Sequence, residues 1–77
     1  MRLGLFGGTF DPIHEGHLGV ARAALREASL DILLLIPNRL PPHKGESTGA
    51  PFEHRLRMVE LAIAGEPQMQ ACDIEKR

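Results

Sequence analysis

The sequence predicts an α/β fold in the order strand, helix, strand, helix, strand, with the strands parallel. Three observations carry that expectation. Leu3, Leu5 and Phe6 make a short apolar run stopped by Gly7 and Gly8, and residues 32–36 (ILLLI) make a second, stopped by Pro37, Asn38 and the Pro41–Pro42 pair. Short unbroken apolar runs suit strands covered on both faces. Between them Leu18, Ala21, Leu25 and Ala28 recur at helical spacing in a segment rich in alanine and arginine.

The remaining elements follow in order. Phe52, Leu56, Val59 and Ile63 give a second amphipathic stripe, with Pro51 at the expected first helical position and Gly65 just past the end. Glu53 and Arg57 stand four apart on the expected solvent side. Residues 69–74 read as a third strand, on a weaker alternation. The loop over 37–50 is long and carries glycine, proline, serine and threonine, which marks a functional or mobile segment and the least ordered part of the chain.

Two right-handed crossovers with strand order 3-2-1 place both helices on one face of the sheet. The opposite face, with part of both apolar runs, is then expected to be bare. This arrangement also puts the Gly7–His17 turn at the carboxyl end of the first strand, where a doubly wound sheet has its ligand crevice.

Composition narrows the function classes. At 77 residues the chain is one small domain at most, in the size range where a single core is marginal. A net charge of −1 offers no electrostatic case for nucleic acid or a membrane surface. The lone cysteine, Cys72, excludes an internal disulfide and a cysteine-based zinc site, and reads as a small apolar residue rather than a nucleophile. The longest apolar run is too short to span a bilayer and the N-terminus has no long apolar leader core, so a cytoplasmic protein is expected. No internal repeat, heptad run or low-complexity segment is found.

The chemistry is concentrated in GGTFDPIHEGHL, residues 7–18. Gly7 and Gly8 let a ligand approach the backbone without a Cβ in the way. The N–H groups and positive dipole end of the following helix favour an anion. His14 and His17, three apart on a first helical turn, share a face and can both donate to one phosphate, while Gly16 keeps that surface bare. Asp11, before Pro12, reads as a turn former or N-cap rather than a metal ligand. Glu15 reads as a first-turn acid complementing the dipole. Arg39, His43 and Lys44 lie in the loop after the second strand; Arg39 stays open between ligand and solvated side chain. His54, Arg55 and Arg57 read as a solvated helix face.

The HxGH of residues 14–17 resembles the signature of a nucleotidyltransferase superfamily marked by (H/T)xGH. The fuller wording of residues 7–17 is similar to the bacterial nicotinate-nucleotide adenylyltransferase family. Two further segments agree: IPNRLPPHK, residues 36–44, is similar to the family's strand-end loop, and RLRMVELAI, residues 55–63, to the helix that follows. The resemblance covers nearly the whole chain, whereas these enzymes are more than twice as long. It therefore implies the N-terminal βαβαβ portion of a Rossmann-like, doubly wound nucleotidyltransferase domain, residues 1–77 being one part of it.

The implied reaction is transfer of AMP from ATP to nicotinate mononucleotide, giving deamido-NAD and pyrophosphate in NAD biosynthesis, with Mg²⁺ on the triphosphate. The resemblance casts His17 as the transition-state donor and His14 as a triphosphate contact. Gly7, Gly8, Thr9, Phe10 and Gly16 shape the phosphate turn, and His43 and Lys44 are phosphate ligands. Two other readings stay open: a truncated or non-catalytic nucleotide-binding remnant, and another transferase of the superfamily. A pantetheine-phosphate adenylyltransferase is expected to carry threonine at position 14, and a cytidylyltransferase to lack the PPHK loop.

Overall fold

The computed structural model describes residues 1–39 and 50–76. The elements are β1 (Leu3–Gly8), α1 (Glu15–Glu27), β2 (Ile32–Pro37), α2 (Phe52–Ala62) and β3 (Met69–Ala71), followed by a single 3₁₀ turn, Ile74–Lys76. The strands form one parallel sheet ordered β1-β2-β3. This is the expected βαβαβ order. Leu3 pairs with Ile32 and Gly8 with Pro37 across β1 and β2, while Leu33 pairs with Met69 across β2 and β3.

One apolar cluster holds the elements together. Leu33 and Leu35 of β2 pack with Leu18 and Ala21 of α1, Val59 of α2, Ile63 at its end and Met69 of β3, and Phe10 and Ile13 close the cluster beside the turn after β1. Residues from both helices meet the same alternate residues of β2, so both helices cover one face, as expected. The strands are consequently buried on one face only. On the other, Leu3 is 55% and Leu5 67% exposed, and their partners Ile32 and Leu34 are half-buried together with Ile36. Gly4 points to the covered side, where a Cβ would come within 2.5 Å of Leu30 and 2.9 Å of Leu33. It allows the end of α1 to close onto the sheet.

Two boundaries differ from expectation, each for a local reason. The third strand stops at Ala71 rather than at position 74. Leu33 N–H donates to Gln68 O at 2.8 Å and Cys72 N–H to Leu35 O at 2.9 Å. The next rung needs an N–H from residue 37, which is proline, and the ladder ends there. Pro51 is the N-cap of α2 rather than its first residue, with ψ at 156°, outside the helical range. α1 ends without glycine: Ser29 takes φ 53°, and Leu30 N–H reaches back to Leu25 O at 3.0 Å, which satisfies a carbonyl at the helix end.

The expected mobile loop of residues 37–50 falls largely outside the described residues, and His43 and Lys44 lie within that part. Among the described residues, no helix is long and apolar enough to cross a membrane.

Candidate functional site

The carboxyl end of β1 runs through Thr9 and Phe10 and the Asp11–Pro12 peptide, which is cis, into α1. Phe10 sets the shape of this turn. It is buried, although its φ of 49° lies in a region that a bulky side chain rarely adopts. Its ring meets Phe6 edge-on at 5.4 Å and His17 edge-on at 5.1 Å. Burial of an aromatic ring contributes roughly 1.5–3 kcal/mol, enough to offset a backbone cost of about 1–2 kcal/mol. Gly8 accommodates the same ring, because a Cβ there would come within 3.2 Å of it. At Gly7 a Cβ would meet nothing closer than 3.9 Å. Gly7 leaves open surface on the sheet face it shares with Leu3 and Leu5.

His14 is the N-cap of α1, a place where the sequence suggests Asp11. Asp11 instead accepts the Ala50 N–H on Oδ2 at 3.0 Å, tying the turn to the start of α2. The cap is reciprocal: Gly16 N–H donates to Nδ1 of His14, and His14 N–H donates to Nδ1 of His17, both at 3.0 Å. The carbonyl of His14 accepts from His17 N–H at 2.9 Å and Leu18 N–H at 3.2 Å. The first-turn N–H groups of Gly16, His17 and Leu18 are thus already taken by His14. The imidazoles become the donors in their place.

This follows from the chemistry of the ring. A neutral imidazole whose Nδ1 accepts a hydrogen bond carries its proton on Nε2. Both His14 and His17 are therefore Nε2–H tautomers, each taking a main-chain N–H on one nitrogen and presenting a donor on the other. In His14 the polarity of the helix N-terminus is passed through the ring. Gly16 is necessary to the arrangement, since a Cβ there would sit 2.8 Å from Cε1 and 3.0 Å from Nδ1 of His14. Burial, and secondarily the neighbouring His14, push the His17 pKa below its ordinary value. Protonation would also cost the His14 N–H its acceptor, so the neutral donor form is favoured in the free site.

The turn is secured from below by a residue that sequence reasoning assigned to solvent. Arg55 is 1% exposed. Its Nη1 donates to Thr9 O at 2.9 Å and to Asn38 O at 2.7 Å, and its Nε donates to Ala50 O at 3.0 Å. Its guanidinium carbon lies 5.5 Å from the Phe52 ring centroid, within cation–π range. Burying a guanidinium is costly without such partners, and here the carbonyls come from three separate segments. The signal in the sequence is spacing: Arg55 precedes Val59 and Ile63 by four and eight residues, on the buried stripe of α2.

The remaining residues singled out in the sequence lie as follows. His54 and Arg57 are exposed, with Arg57 paired to Glu60 at 3.3 Å, and Glu15 is an exposed first-turn acid 3.7 Å from Arg22. Arg39 is exposed and its main-chain N–H reaches Glu75 Oε1 at 3.5 Å. Cys72 is a free, half-buried thiol. Among the described residues, no three His, Cys, Asp or Glu side chains gather as a metal centre.

Residues 5–76 match the model of the cytidylyltransferase-like family. The chain is 50% identical over 76 residues to the probable nicotinate-nucleotide adenylyltransferase of Gloeobacter violaceus, covering 99% of this chain and 37% of that protein. It is 47% identical over 76 residues to the protein of the same name from Solibacter usitatus, covering 99% and 40%. A third, from Geobacillus kaustophilus, is 49% identical over 74 residues, covering 96% and 34%. The chain thus spans between about a third and two fifths of the length of these curated relatives. Among solved structures, Plasmodium falciparum nicotinic acid mononucleotide adenylyltransferase complexed with NaAD superposes with a TM-score of 0.76 at 22% identity, over 96% of this chain and 37% of that one. At that identity the likeness speaks for the fold.

Proposed function

Because this chain belongs to the cytidylyltransferase-like family, we propose that the intact protein transfers AMP from ATP to nicotinate mononucleotide, releasing pyrophosphate and forming deamido-NAD. The observation that carries the reading is the reciprocal His14–His17 cap at the start of α1, with Nε2–H left on both rings. The names and 47–50% identity of the relatives support the choice of acceptor.

The chemistry asks little of a base. The phosphate of the mononucleotide is already an anion; one of its oxygens forms a bond to the α-phosphorus of ATP while the bond to the bridging β-phosphate oxygen breaks. What accelerates such a step is alignment and stabilisation of charge on the α-phosphate oxygens. His17 is our choice for the donor to those oxygens and His14 for the triphosphate. Gly7, Gly8, Thr9 and Phe10 shape the cradle, Gly16 makes room for the His14 ring, and His43 and Lys44 are proposed to clamp phosphate from the second loop. Mg²⁺ brought with the ATP substrate would supply charge neutralisation for the leaving pyrophosphate, while His14, His43 and Lys44 are proposed to hold the phosphates. Lone Cys72 fits a reducing, cytoplasmic setting.

Chromatography of the products formed by the intact protein from ATP and several acceptors tests the assignment. Deamido-NAD from nicotinate mononucleotide is expected. Efficient use of phosphopantetheine, with none of nicotinate mononucleotide, would refute it.

A further inference from the structure

Arg55 is buried and donates to three main-chain carbonyls: Nη1 to Thr9 O and Asn38 O, Nε to Ala50 O. We infer that Arg55 is a positioning residue for the adenylyl-transfer step, acting through the Thr9–Phe10 peptide. The inference rests on the function proposed above.

The geometry is that of a planar trans peptide, in which C=O and N–H point in opposite directions. Holding the Thr9 oxygen against the buried guanidinium therefore turns the Phe10 N–H the other way, out of the core. Phe10 is buried with φ 49°, an orientation that sterics alone would not select. Arg55 thus fixes one main-chain donor of the phosphate turn without reaching the ligand itself. Its two remaining bonds hold Asn38 and Ala50, the residues that flank the segment carrying His43 and Lys44 in the sequence. Asn38 N–H also donates to Gly8 O at 2.8 Å, and Ala50 N–H to Asp11. One side chain accordingly sets the first phosphate turn and the anchors of the second loop relative to each other. Lysine has a point charge and rotatable donors, and it does not reproduce this fixed fork.

The test uses the intact protein with Arg55→Lys, Arg55→Met and, as a control for lost stability alone, Ile63→Val in the core far from any substrate role. Each variant is scored for unfolding midpoint, for kcat and KM per folded molecule, and for the amide resonances of residues 8–10. We expect kcat to fall by about 10²-fold in Arg55→Met, the scale of an ångström-sized misplacement. Arg55→Lys should fall by roughly 10-fold on the same basis. KM for ATP should change less than kcat, the Thr9 and Phe10 amide resonances should shift, and Ile63→Val should keep wild-type kcat despite a lower midpoint. Should Arg55→Met not fold, Arg55→Lys decides. A folded Arg55 variant with kcat within about twofold of wild type and unmoved Phe10 resonances would overturn the inference. Failure of the functional reading looks different: the wild type itself makes no deamido-NAD, and the turn resonances alone then decide on Arg55.

Discussion

The His14 and His17 rings lie 4.0 Å apart, tilted by 36°, each accepting a main-chain N–H on Nδ1. With Nδ1 occupied as acceptor, each ring has its Nε2 left to donate. Two imidazolium rings at this separation would repel. Burial and the neighbouring His14 accordingly lower the His17 pKa from its ordinary value.

The first expectation concerns pH. Burial and then His14 hold the His17 pKa below about 6.5 in the folded protein. Between the folded value and about 6.5 the unfolded chain binds more protons, so stability rises with pH through that window and is lost as pH falls through it. NMR titration of the free protein should give a His17 midpoint below 6.5, and His17→Asn should shrink the drop in Tm between pH 7.5 and pH 5. A His17 midpoint above 6.5 would show the neutral-donor reading to be wrong.

Gly16 and Gly19 give a paired test on one helix. Gly16→Ala gains about 1 kcal/mol of helix propensity but pushes the His14 ring off the Gly16 N–H, losing a cap of about the same worth. Stability should scarcely move, while kcat should fall roughly 10-fold as the donor is misaligned. A Cβ at Gly19 meets nothing within 4 Å. Gly19→Ala should therefore stabilise by roughly 0.5–1 kcal/mol with activity intact. Denaturant titration and steady-state kinetics measure both; a Gly16→Ala protein as active as Gly19→Ala and equally stabilised would remove the cap from the site.

Lys44 lies outside the described residues, and its phosphate role is a proposal from the PPHK segment. A cation that clamps ground-state phosphate should affect binding more than chemistry. Lys44→Ala is expected to raise KM, with a weaker dependence of KM on salt. Unaltered KM for both substrates would return Lys44 to the surface.

Residues 1–77 expressed alone should associate and show no useful turnover. Leu3 and Leu5, at 55% and 67% exposure, lie on the sheet face away from both helices, beside Ile32, Leu34 and Ile36. A contiguous apolar face of that kind seeks a cover, and Leu5→Lys should reduce the association. Sizing, thermal unfolding and an adenylyl-transfer assay together decide; a monodisperse, cooperatively unfolding and active monomer is the contrary result.

What could be read from the sequence was whatever depended on local pattern. The apolar runs of β1 and β2, the stripe of α1 and the HxGH turn are each contiguous signals. β3 was over-extended because its end is set by a missing N–H on Pro37, which lies on another strand. His14 escaped notice as a cap because serine, threonine, aspartate and asparagine dominate that position, and Asp11 stood nearby. The sequence points Arg55 to solvent because arginine is rarely buried. Its three carbonyl partners come from residues 9, 38 and 50, and only the completed fold gathers them.

The most direct test of the site is the chemical step in the intact protein with His17→Ala and His17→Asn. Loss of one preorganised donor to a developing oxyanion typically lowers kcat by about 10²–10³-fold, and that is the loss expected for His17→Ala. His17→Asn keeps an N–H near the same place and should retain more activity. Single-turnover rates at saturating ATP and nicotinate mononucleotide isolate that step from binding. Small and equal losses in both variants, or an effect confined to KM, would contradict the assignment of His17 to the transition state.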